Sequence, residues 1–303
     1  MFSIETGTFR LNLEVAPVKA LCPHEQIIPE VARKLVLEFR NWVHLQNPII
    51  VDENDIVLDG NHRIFAFRKL AFRFIPVCRI DYFHKNAQLR YWFRLLGRVD
   101  RLEAVTHIIQ ELGGTVESLS DKETLRARLE LEHLCCGLQR GNFFGLIIFP
   151  PEVVNDAVSA YTVLERIQER LIRDGIGVEY IPCQPVCDGA FCEDIERGEI
   201  ILWTPQITKE MVVDAARQGK VFTPKATRHL IPARPLNVNV PIHWFNENVS
   251  LEAINERFEI FLREKRIRRF GPGQVISGRY YEEELFIFFD RRESPLKRTQ
   301  ERE

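Results

Sequence analysis

A chain of 303 residues, 45% hydrophobic and 28% charged, has a globular composition and enough sequence for one large or two ordinary domains. Its 41 Lys and Arg stand against 43 Asp and Glu, and a net charge of −2 argues against a global basic surface for nucleic acid or anionic membrane. No apolar run approaches the roughly 18 residues of a membrane span, and the N-terminal MFSIETGTFR lacks a basic-then-apolar signal pattern, so a cytoplasmic protein is expected.

Phe9, Leu11, Leu13 and Val15 alternate with polar residues, which predicts a half-buried strand. A helix is expected from Pro29 to Asn41, after the pair His24-Glu25. Residues 48–52 and 56–59 are apolar and β-branched around the turn chemistry of Glu53, Asn54 and Asp55, the pattern of a hairpin. Ile64, Phe65, Phe67, Arg68 and Leu70 then follow a helical spacing, so Asp59-Gly60 should turn the chain onto a helix that starts near Asn61 or His62. A strand over 75–81 completes a compact α/β unit.

Beyond it, the spacing predicts a helical stretch from Ala87 through Leu134, broken at Gly97 and Gly113-Gly114, with Ser120 and Glu123 as a capping box for its last helix. Phe143 to Phe149 reads as a buried strand. Pro151 should open a long amphipathic helix that stops at Gly175. Strands over 178–181 and 199–203, helices over 208–218 and 250–266, strands within 274–290 and a polar tail from about 294 complete the chain. The fold class expected is α/β (α+β), with one lobe over 1–85 and a helical segment plus a second α/β lobe over 86–303.

The turn at 59–63 is the most chemically specific segment. A helix start offers unpaired N–H groups and partial positive charge to an anion, and Gly60 removes the Cβ that would block close approach. Arg63 adds a guanidinium suited to phosphate, and Asp59 a carboxylate suited to Mg²⁺. Taken alone, the same pentapeptide can be a plain strand-turn-helix with an Asp59–Arg63 ion pair.

The pentapeptide Asp59-Gly60-Asn61-His62-Arg63 and its hairpin resemble the ParB/sulfiredoxin-like superfamily. Asn61 stands where sulfiredoxins carry their catalytic cysteine, and the turn departs from the Gly-Glu-Arg-Arg of chromosome-partitioning ParB proteins. The free L-serine kinases fit better, a branch that includes an archaeal ADP-dependent enzyme and a siderophore-pathway enzyme. Residues 18–25, ending in His24-Glu25, resemble that family's strand and catalytic Glu. Trp92 sits at the spacing of its substrate-pocket tryptophan, and residues 224–232, with Lys225, Thr227, Arg228 and His229, followed by 234–239, resemble its serine-holding segment.

The resemblance implies an N-terminal ParB/sulfiredoxin-like lobe, a second lobe and an active site in the cleft between them. It implies phosphorylation of free L-serine to O-phospho-L-serine by ATP or ADP with Mg²⁺, in cysteine or siderophore synthesis. Glu25 would be the general base, with Asp59 and His62 as further catalytic groups. Asp59, Gly60, Asn61, His62 and Arg63 would bind the nucleotide phosphates, with Asp59 also the Mg²⁺ ligand. Trp92, Lys225, Thr227, Arg228 and His229 would bind serine.

A rival reading is a ParB-like, nucleotide-dependent DNA-binding or regulatory protein, using Arg90, Arg94, Arg98, Arg101 and the basic run at 263–266. Nearby glutamates and the absence of an evident helix-turn-helix favour solvated faces. Seven cysteines in such a chain are expected to be thiols; Cys183, Cys187 and Cys192, spaced by three and four residues, are a weak zinc pattern.

Overall fold

A computed structural model describes residues 1–7, 9–97, 102–182 and 199–291. The chain divides into two compact units: Met1–Pro23, Ile27–Gln88 and His229–Glu303 form the first, His24–Gln26 and Leu89–Arg228 the second. This differs from a single division at 85/86. Residues from 229 onward return to the N-terminal unit, and the tripeptide at 24–26 leaves it.

The first unit is built on a six-stranded sheet in the order Phe2–Thr6, Phe9–Pro17, Phe74–Arg79, Ile49–Val51, Ile56–Asp59, Cys22–Pro23. Phe9, Leu11, Leu13 and Val15 are all buried, as the alternation requires. The helix Pro29–Asn41 occupies its expected bounds. The hairpin at 49–59 delivers the chain through Gly60 onto the helix Asn61–Lys69. Gly60 is the cap, at φ 115° and ψ 24°, a left-handed backbone that side chains disfavour.

The returning segment adds the helix Leu251–Arg263, whose Asn255 brackets Val15: its Oδ1 accepts from the Val15 N–H at 2.8 Å and its Nδ2 donates to the Val15 carbonyl at 2.9 Å. It also adds a small sheet in the order Ala233–Leu236, Glu284–Phe289, Arg266–Phe270.

The second unit is a six-stranded sheet in the order Thr115–Leu119, Phe143–Ile148, Cys136–Arg140, Ile200–Trp203, Trp92–Leu96, Val178–Pro182. Every pair in it is antiparallel, so this lobe is α+β and not a parallel βαβ array. Its strands alternate between two cores. Leu96, Leu138, Ile147, Ile200 and Leu202 pack with residues of the helices Leu102–Glu111, Ala157–Arg173 and Lys209–Arg217. Phe93, Leu146, Ile201 and Trp203 pack with Leu125 and Leu129 of the helix Lys122–Leu131.

Three expectations fail here. The helical stretch from Ala87 is broken up: residues 88–90 form a short strand, and 92–96 and 115–119 are strands because ladder partners at 178–182, 200–203 and 143–148 take up their backbone groups. The capping residue before the helix Lys122–Leu131 is Asp121, which accepts from the Thr124 N–H, and not Ser120. The long helix also starts later than Pro151, at Ala157, where Asp156 and Ser159 form the capping box.

Gly60 and Gly219 separate two costs of a side chain. A Cβ on Gly60 would stand 2.5 Å from Ile49 Cγ2, whereas Gly219, at φ +70°, has nothing within 4 Å. Gly219→Ala should lose about 1 kcal/mol, the backbone part alone. Gly60→Ala should lose clearly more, about 2–4 kcal/mol, in urea melts. Equal midpoints for the two variants would refute a tight turn at Gly60.

Candidate functional site

At the 59–63 turn the charges are engaged with one another. Arg234 Nη1 donates to Asp59 Oδ2, Arg63 Nη2 lies 3.3 Å from the same oxygen, and Arg234 Nε donates to Glu283 Oε1 at 2.7 Å. Arg63 Nη1 also donates to the carbonyls of Asn47 and Pro48 at 2.8 and 3.1 Å. Burial alone would raise the Asp59 carboxyl, but Arg234 and then Arg63 outweigh it and hold it well below the ordinary range.

Asp59, Arg63 and Arg234, with Arg279 and Tyr281, line a cavity of about 250 Å³, and Glu283 lies behind Arg234. Three guanidiniums against Asp59 and Glu283 leave it cationic, which suits an anion. It does not suit a divalent cation held by Asp59, because that carboxylate is already shared by two guanidiniums. Asp59 as a direct Mg²⁺ ligand therefore does not fit. His62 Nε2 accepts from the Ile28 N–H at 2.9 Å, which places the proton of a neutral ring on Nδ1. The buried Asn61 Oδ1 is an acceptor without a hydrogen-bond partner.

The second unit gathers the other candidates around Glu25. A bridge to Phe222 holds the tripeptide: Phe222 N–H donates to the His24 carbonyl, and Gln26 N–H to the Phe222 carbonyl, both at 2.8 Å. Lys225 follows in a left-handed conformation, φ 62°, which turns successive N–H groups toward one point, an arrangement that binds anions. The anion there is Glu25, whose Oε1 accepts from the Ala226 N–H at 2.9 Å. Burial pushes the Glu25 carboxyl up to about 7, against the Ala226 N–H, the Lys225 charge and the N–H groups of Lys225 and Thr227, which pull it down.

His24 is fully buried and its Nε2 lies 2.7 Å from Thr227 Oγ1, which fixes that hydroxyl. Trp92 Nε1 donates to the Thr227 carbonyl at 3.1 Å, and the Lys225 ammonium stands 4.4 Å over the Trp92 ring with Arg228 at 5.9 Å. The structure thus joins Glu25, Trp92, Lys225, Thr227 and Arg228. His229 belongs to the first unit, where its Nε2 lies 2.8 Å from the Tyr82 hydroxyl.

Sequence reasoning missed Glu283 and the places of Arg234 and Arg94. Arg234 and Glu283 complete the Asp59 network, and Arg94 is fully buried behind the Lys225 turn. Arg234 opens the stretch 234–239 that follows residues 224–232 in the serine-like segment, but nothing in the sequence ties it to Asp59. Cys183, Cys187 and Cys192 lie outside the described residues.

No protein-family model matches the chain. It is similar to an ATP-dependent L-serine kinase of Staphylothermus marinus, 26% identical over 236 residues that span 74% of this chain and 88% of the relative. It is also similar to the ADP-dependent L-serine kinase SerK of Thermococcus kodakarensis, 22% identical over 73% of this chain and 87% of that one. A mutant free serine kinase in complex with AMP superposes with a TM-score of 0.61, at 18% identity, over 80% of this chain and 97% of the other. The C-terminally truncated SbnI of Staphylococcus aureus does so with 0.61, at 17%, over 83% and 95%. The fold is that of the free serine kinases. The resemblance carried by the two motifs thus extends over most of the chain.

The raised Glu25 carboxyl has a thermodynamic signature. An acid whose folded pKa exceeds its unfolded value costs nothing below the unfolded value, here 4.5; the cost grows as pH rises and is complete above about 7. Glu25→Gln removes it. In paired melts the variant should gain on the wild type from pH 4.5 to 7.5, by at most about 3 kcal/mol. A stability difference that is flat across that window would contradict the raised carboxyl.

Proposed function

We propose that this protein is a kinase that phosphorylates the hydroxyl of free L-serine from a nucleotide donor, giving O-phospho-L-serine. The observation that carries the reading is Glu25: a carboxylate held by a backbone turn, with its proton affinity raised to about 7, among Lys225, Thr227, Arg228 and Trp92. An alcohol must lose its proton as it attacks phosphorus, and a base with a pKa near the working pH combines availability with driving force. Lys225 and Arg228 are suited to the carboxylate of the amino acid, and Thr227, oriented by His24, to one of its polar groups. His229, hydrogen-bonded to Tyr82, is kept in this reading only as a further contact.

The donor phosphates are assigned to the N-terminus of the helix Asn61–Lys69, where Gly60 opens the approach and Arg63 and Arg234 supply positive charge. Asn61 Oδ1 is suited to a nucleotide N–H or O–H. Relatives named for ATP and for ADP leave the donor between these two. A magnesium ion, if used, would arrive on the nucleotide phosphates, since Asp59 is engaged by arginines.

The DNA-binding reading loses much of its basic surface. Arg94 is buried, Lys265 pairs with Asp290 and Arg263 with Glu259, while Arg98 and Arg101 lie outside the described residues.

Incubation of the pure protein with L-serine, Mg²⁺ and either ATP or ADP should yield phosphoserine by mass spectrometry, with one donor preferred. Turnover should fall as pH drops through about 7, where Glu25 gains a proton. Glu25→Gln should lower kcat about 100-fold or more and leave nucleotide affinity nearly unchanged. Nucleotide binding without phosphoserine from either donor would abandon the kinase for the regulatory reading.

A further inference from the structure

Arg94 lies on the strand Trp92–Leu96 and is completely buried. A guanidinium taken out of water is costly unless its donors are matched, and such groups usually meet a carboxylate. Here Nε donates to Gln168 Oε1 at 2.5 Å, Nη1 to the Trp92 carbonyl at 2.9 Å and Nη2 to the Lys225 carbonyl at 3.1 Å, and the group stacks 4.4 Å from the Tyr180 ring. All three acceptors are neutral. No carboxylate lies within ion-pair distance of it among the described residues, so its charge is left to act on groups farther off.

We propose that Arg94 is a positioning residue for the Glu25 site, setting both its shape and its charge. The fork ties the carbonyl of Trp92, the aromatic wall, to that of Lys225, the left-handed residue whose turn presents N–H groups to Glu25. A side chain with a single donor direction cannot span both carbonyls. The positive charge reaches Glu25 and Glu165 and favours their ionised forms. The other groups that face Glu25 are Lys225, from the turn, and Tyr161, from the helix Ala157–Arg173, whose hydroxyl lies 2.9 Å from the Ala226 carbonyl. Burial pushes the Tyr161 hydroxyl well above its ordinary range, so it stays neutral; Lys225 is the main cation acting on Glu25, and Arg94 adds to it.

The role in turnover rests on the serine-kinase reading; the role in the titration of Glu25 does not, and the two are measured separately. Arg94→Lys keeps the charge and breaks the fork. Gln168→Glu keeps the fork and its hydrogen bond but sets a negative charge against the guanidinium. In the serine assay Arg94→Lys should lose about 10-fold or more in kcat/KM, mainly through KM for serine, with the acid limb of its pH profile in place. In Gln168→Glu the Glu25 carboxyl, followed by ¹³C NMR titration, should move up by about half a unit or more. Circular dichroism and melting establish that each variant is folded; should Arg94→Lys not fold, the Gln168→Glu titration decides. A folded Arg94→Lys with wild-type kcat/KM, or an unmoved Glu25 in Gln168→Glu, overturns the assignment. Absence of serine phosphorylation in the wild type would fall on the kinase reading, and the titration would still test Arg94.

Discussion

The hydrogen bond from the Ala226 N–H to the Glu25 carboxylate is the contact on which the arrangement of the second unit's candidate site depends. It couples a carboxylate from near the start of the chain to a turn that exists only because Lys225 accepts a left-handed backbone. That conformation is costly for a residue with a side chain, and the surroundings must over-determine it. They do so from three directions: Arg94 grips the Lys225 carbonyl, the Tyr161 hydroxyl lies against that of Ala226, and Trp92 Nε1 binds that of Thr227. The three carbonyls of the turn face the scaffold, and its N–H groups are left for the acid.

The two charged sites solve opposite problems. Asp59 sits among Arg234 and Arg63 and is ionised at any ordinary pH, so it can hold geometry and balance charge but has no use for a proton. Glu25 is bound by amides and faces one ammonium, and burial raises its carboxyl to about 7, where it can exchange a proton near neutral pH. Two carboxylates of the same chain are thereby separated into a fixed anion and an exchangeable one.

Much of this was legible in the chain. The helix at 29–41 and the Gly60 turn follow from local spacing and turn chemistry, and both appear where the pattern puts them. The strand carrying Trp92 was read as helix because Leu89, Trp92, Phe93 and Leu96 are spaced as on a helix face; partners at 178–182 and 200–203 decide otherwise, and they are distant in sequence. Arg94 was hidden for the same reason. In one dimension an arginine beside other arginines reads as a solvated face, and only packing against Gln168, 74 positions away, reveals it as interior. Arg234 and Glu283 join Asp59 across 175 residues or more, beyond any spacing rule.

The membership of His24–Gln26 in the second unit bears on how the molecule comes into being. Glu25 and its acceptor turn are 201 positions apart, so during synthesis the acid emerges long before the amides that will hold it. Closing so long a loop carries an entropic cost on the order of 5 kcal/mol, which the many contacts of the two units must jointly meet. The bond therefore forms late, after most of the polypeptide is in place. A fragment limited to residues 89–228 would be born without Glu25, and a partly made chain lacks this bond until the turn at 225–227 has been synthesised.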